Sequence, residues 1–232
     1  MTAIFKRELR SYFNSVTGYA FAAFLLLFTG IYTMGICLAG GYTNYEYVLG
    51  NMAFIFLLIV PIVTMKVFAE EKKQKTDQLL YALPLGMTKI VLGKYLALLV
   101  VFAVPMVIVA VYPLLLSMYG TLNLKVVYCT VIGFILLGAA LLSIGTFISS
   151  LTESQPLAGG LTFLVLLINY LSSSIASAIG VGENFIESLN LFSRLDQFVY
   201  GIFDVGNVIF YLTVTAFFLF LTVQSLEKRR WS

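Results

Sequence analysis

The chain has 232 residues, of which 60% are hydrophobic and 11% charged, with a formal net charge of +3 and no histidine. A mean hydropathy of +0.98 is more apolar surface than one aqueous core of this length can hide, so the composition excludes a soluble globular domain and predicts an integral membrane protein. Histidine general bases and histidine metal ligands are excluded outright, and the small net charge gives no reason to expect a nucleic-acid partner.

At the start, Phe5, Leu9 and Tyr12 or Phe13 recur at helical spacing among Lys6, Arg7, Glu8 and Arg10. This predicts an N-terminal amphipathic helix over residues 1–16, its cations either turned to lipid headgroups or serving only as a basic anchor. A basic start before an apolar run has the outline of a secretory signal. The run continues over residues 18–38, which is bilayer length, and so predicts a retained first span. Tyr42, Tyr45 and Tyr47 follow, where amphipathic rings suit the interface. The second span is expected over 50–69, with a kink at Pro61 and Lys66 snorkelling toward the charged end.

Residues 70–89 form the long polar connection. Within it Thr76, Leu79, Leu80 and Leu83 share one side of a short helix that Pro84 stops. The third span, 90–118, would be about 40 Å long at 1.5 Å per residue, so Pro105 and Pro113 predict tilting or kinking. The fourth, 126–150, carries Gly133, Gly138, Ala139, Ser143, Gly145 and Ser149. Such small residues let neighbouring backbones approach, within the chain in preference to a subunit contact. The fifth, 157–179, contains Asn169, Ser172, Ser173, Ser174 and Ser177, with Asn169 and Ser173 the candidates for either a pathway lining or helix packing. Over 181–206, Phe185, Ile186, Leu189, Phe192, Leu195 and Val199 recur every three or four residues and predict short re-entrant or interfacial helices at the outer side. A sixth span, 207–224, closes the bundle. Lys125 and Arg194 are the only cations on one side, against twelve on the other, so both termini and the 70–89 connection are expected in the cytoplasm.

Catalytic motifs are missing. Gly86, Gly93 and Lys94 do not have phosphate-loop spacing, and Tyr95 stands where that motif needs a hydroxyl residue such as serine. Glu70-Glu71 followed by Lys75 is similar to the Glu-Glu-x-x-x-Arg motif of the CAAX-processing membrane proteases, a family that also needs histidines. Cys37 and Cys129 lie far apart in apolar segments and predict neither a disulfide framework nor a metal site.

Several stretches in order carry a family resemblance: Phe5 through Phe13, Glu70-Glu71-Lys72 through Thr76-Asp77-Gln78-Leu79-Leu80 to Leu83-Pro84, Gly93-Lys94-Tyr95, Ile148 through Thr152, and Gly201-Ile202-Phe203-Asp204 ahead of Phe210-Tyr211. The chain resembles the ABC-2 family of ATP-binding cassette transporter permeases, most of all the gliding-motility GldF type. It departs from the commonest pattern at Asp77 and Glu153. The resemblance implies a single all-α domain over residues 1–232, with six transmembrane helices, an interfacial N-terminal helix, a coupling helix between spans two and three, and re-entrant helices before span six. It implies a multi-pass inner-membrane permease of an exporter, with these partners: cytoplasmic ATPase subunits that hold ATP and magnesium, a second copy or a related permease, lipid, and an accessory extracytoplasmic subunit. No cofactor is expected in this chain. Glu70, Glu71, Lys72, Thr76, Asp77, Leu79, Leu80, Leu83 and Pro84 would couple to the ATPase, and Phe5, Lys6, Arg7, Leu9 and Arg10 would form the interfacial helix. The alternative expectation is a membrane binding or immunity protein that works without ATP.

Overall fold

The structure is a computed structural model and describes residues 2–41, 44–76, 86–118, 120–179 and 188–231. Its helices are α1 (Thr2–Asn14), α2 (Val16–Thr33) running on into a π-helical turn (Met34–Ala39), α3 (Tyr45–Thr64), α4 (Ala69–Lys73), α5 (Met87–Leu116), α6 (Leu124–Leu151), α7 (Gln155–Ile179), α8 (Ser193–Val199) and α9 (Val205–Trp231). Among the described residues there is no strand, and six helical stretches are long and apolar enough to cross a membrane. In lipid, a helix satisfies its own backbone polar groups, which is why this composition folds as a helical bundle.

The proline positions act differently from one another. Pro61 lies inside α3, which runs three residues further and stops at Thr64, so the second span is two helices joined by a turn at residues 65–68. Pro105 and Pro113 both sit within the 30-residue α5, which is continuous. Asp77, Leu79, Leu80, Leu83 and Pro84 lie outside the described residues, as do Glu183, Phe185, Ile186 and Glu187 of the outer segment.

The second and fourth spans form the interior, each 72% buried over its apolar window, against 17% for the fifth and sixth. Helix α6 reaches that position through its glycines. A Cβ on Gly133 would stand 2.6 Å from the Phe198 ring, one on Gly138 2.4 Å from Phe102, and one on Gly145 2.4 Å from Thr64 Oγ1. The small residues of the fourth span therefore receive side chains of α8, α5 and α3 of the same chain. Next to them Phe56 stacks on Phe134 at 4.4 Å and leans on Phe102 at 5.7 Å.

Gly145→Ala is expected to lower stability by about 1–3 kcal/mol, because Thr64 is β-branched and buried and has no room to yield. Gly160→Ala, where a Cβ meets nothing within 4 Å, is expected to leave stability unchanged or raise it by up to about 1 kcal/mol. Thermal unfolding of the two variants in detergent makes the comparison.

Candidate functional site

Helix α1 folds back against α5 and buries Ile4 and Tyr12, the Tyr12 hydroxyl donating to Val63 O at 3.5 Å. Leu9 and Phe13 pack against the same core, whereas Lys6 and Arg10 are exposed and Phe5 is half-buried. The turn into α2 is tight enough that a Cβ on Gly18 would stand 2.5 Å from Tyr12 O. The apolar face of the N-terminal helix thus meets protein.

Where α1, α4 and α5 converge, the Lys94 ammonium is enclosed, with 1% of its side chain exposed. It lies 2.9 Å from Glu71 Oε2 and 3.3 Å from Glu8 Oε1, and it donates to Val67 O at 2.9 Å. The Phe68 ring covers another side, its centroid 5.2 Å away. Arg7 closes the group from outside, 2.6 Å from Glu8 Oε1 and 2.7 Å from Glu71 Oε1. Two cations and two carboxylates balance, as the near-complete removal of Lys94 from water demands. Glu71 Oε2 has no aligned hydrogen-bond donor, so its contact with Lys94 is one of charge.

Four of the expected coupling residues lie on the described side of the connection, and one of them takes part in this group. Glu71 is in it. Lys72, buried on the next position, donates its ammonium to Ser150 O at the end of α6, where free carbonyls favour a cation. The Thr76 hydroxyl donates to Glu71 O at 3.2 Å, and Glu70 is half-buried on α4. Lys66 donates to Thr17 Oγ1 at 3.0 Å, a partner within the chain. At the same end Arg229 of α9 pairs with Glu153 at 2.6 Å, and that hydrogen bond and charge hold the Glu153 carboxyl below its ordinary range. Lys94 as the centre was not singled out by sequence. Its signal was a lysine eight residues into an apolar helix, a position that calls for a buried partner.

The opposite end is held by amides and hydroxyls. Asn169 Oδ1 accepts from Leu191 N at 3.1 Å, and Asn190 donates to Ser172 Oγ at 3.0 Å and to Ser173 Oγ at 2.7 Å. Arg194 donates to Asn207 Oδ1 at 2.8 Å and lies over the Phe210 ring, and the Tyr211 hydroxyl donates to Leu191 O at 2.7 Å. Asn169 and Ser173 are thus both engaged in fastening the outer segment to α7. Burial raises the carboxyl pKa of Asp196 on α8.

Among the described residues no group of three or more metal-ligating side chains comes together. The model of a family described as "ABC-2 family transporter protein" matches residues 2–229. No curated protein matches the chain.

Lys94→Met is expected to cost about 3 kcal/mol, the low end for breaking a buried pair because Arg7 still balances part of the carboxylate charge. Release of α1 should show as faster tryptic cleavage at Lys6, Arg7 and Arg10 than in the parent chain, read by mass spectrometry.

Proposed function

As the chain belongs to the ABC-2 family of transporter proteins, of which it is a membrane permease, we propose that it is driven from the cytoplasm by separate ATPase subunits gripping the 70–84 segment. The observation that carries this proposal is the convergence of α1, α4 and α5 on Lys94. A push on the connection between the second and third spans reaches three elements through that one buried ammonium.

The mechanism follows from that linkage. ATP draws the paired ATPases together, and their movement enters through Leu79, Leu80 and Leu83 with the polar residues before them. Glu71 passes it to Lys94 and Arg7, Lys72 passes it to the end of α6, and two permease bundles rock about their contact. The basic end, which carries Lys6, Arg10, Lys73, Lys75 and Lys89, faces the cytoplasm by the positive-inside rule. The hydrogen bonds of Asn169 and Ser173 support a packing role for them. Export of an apolar or amphipathic substrate fits spans made chiefly of aliphatic and aromatic residues, and the GldF-type assignment rests on the order of the motifs alone. The second bundle is an identical copy or a relative.

Co-purification of the chain with an ATPase encoded beside it is the first expected outcome. Leu80→Asp should leave membrane insertion intact and reduce ATP-dependent activity of the reconstituted complex by at least about tenfold, the effect of a charge placed in an apolar contact. Full activity in that variant would remove the leucine face from the coupling path, and an active chain that binds no ATPase would favour the ATP-independent alternative. Single cysteines at positions 75 and 89 are expected to react with an impermeant thiol reagent only from the cytoplasmic side.

A further inference from the structure

The second span breaks where a continuous helix would be the simpler lever. Helix α3 ends at Thr64 and α4 begins at Ala69, so the backbone groups of residues 65–68 lack part of the regular ladder although Val67 and Phe68 are buried. Side chains of two other spans replace it. Ser149 Oγ on α6 accepts from both Phe68 N and Ala69 N at 3.1 Å and faces Met65 O at 3.4 Å. A hydroxyl has two lone pairs and one proton, so these three partners use its full capacity. Lys94 Nζ on α5 takes Val67 O. Ser149 is 0% exposed, so the site is closed to bulk solvent.

We propose that Ser149 is a positioning residue for energy coupling, its hydroxyl latching the 65–68 joint so that displacement of α4 is handed to α6 instead of being absorbed by bending. This rests on the permease assignment for its purpose, though the latch itself does not. Three features place the joint in the line of force. The residues just beyond it, Glu71 and Lys72, are bonded to Lys94 and Ser150 O. The helix just before it presses Thr64 against Gly145, one turn from Ser149 on α6. Helix α6 itself is among the most enclosed elements of the bundle, and so carries a displacement at one end to the other. Without the hydroxyl the two amides have no partner, the turn loosens, and α4 moves independently of α6.

The experiment is hydrogen exchange on the full chain in lipid nanodiscs, alone and bound to its ATPase subunits with and without ATP and vanadate. In the chain alone, Ser149→Ala should speed exchange of peptides covering residues 65–70 by about tenfold and leave residues 124–130 at the parent rate, with Ser149→Thr close to the parent. Unchanged exchange at 65–70, or a uniform rise along the whole chain, would overturn the latch. In the complex, the parent should show a nucleotide-dependent change at 124–130 that Ser149→Ala loses while still binding the ATPase. A parental response in Ser149→Ala would overturn the coupling role and leave the permease assignment standing. Failure of the parent chain to bind any ATPase would remove that assignment and the coupling role together, while the first arm still decides the latch.

Discussion

An ammonium group with almost no access to water has to find its compensation inside the protein, and Lys94 finds it in carboxylates from two segments far apart in the chain. Glu8 comes from α1 and Glu71 from α4, so neither helix is free to leave α5 without stranding a charge. Arg7 adds a second cation at the rim, where it is 54% exposed and its contribution is weakened by solvent. The asymmetry matters. Lys94 sets the geometry, and Arg7 keeps the sum of charges near zero.

The two ends of the bundle solve the same problem with different chemistry. At the basic end, ion pairs and lysine caps on backbone carbonyls tie α1, α4, α5, α6 and α9 together. At the other end neutral amides and hydroxyls of Asn169, Asn190, Ser173 and Asn207 fasten the outer segment to α7 and α9. Between them α6 provides close packing through glycines that admit Thr64, Phe102 and Phe198. Such a spine resists bending, since packed interiors respond to strain by shifting between discrete arrangements and not by gradual deformation.

ABC-2 membrane permeases are generally the non-catalytic transport subunits of ABC transporters. Among the described residues, Lys94, Glu8, Glu71 and Arg7 pair with one another, Lys72 bonds to backbone, and Asn169, Asn190, Ser172 and Ser173 hold helices together. On the path for force that we propose, the lysine-centred junction and the serine-held joint lie in succession, the first gathering three elements and the second joining the halves of one span.

Hydropathy and periodicity alone determined the class of this protein: six apolar stretches of bilayer length, the amphipathic start with Phe5, Leu9 and Tyr12 or Phe13 on one side, and small residues on the fourth span. These are local properties, since burial in lipid depends on what each stretch contains and little on what lies beside it. The end of α3 at Thr64 was not legible, because Pro61 marks where a helix is weakened and not where it stops. Nor was the role of Lys94, whose place inside an apolar helix calls for a buried partner without saying which. Only the tertiary structure brought Glu8, Glu71 and Val67 around it, and only there did Ser149 meet the amides of Phe68 and Ala69. Partners of a buried polar group come from whichever segments packing places beside it, and no spacing along the chain records that choice.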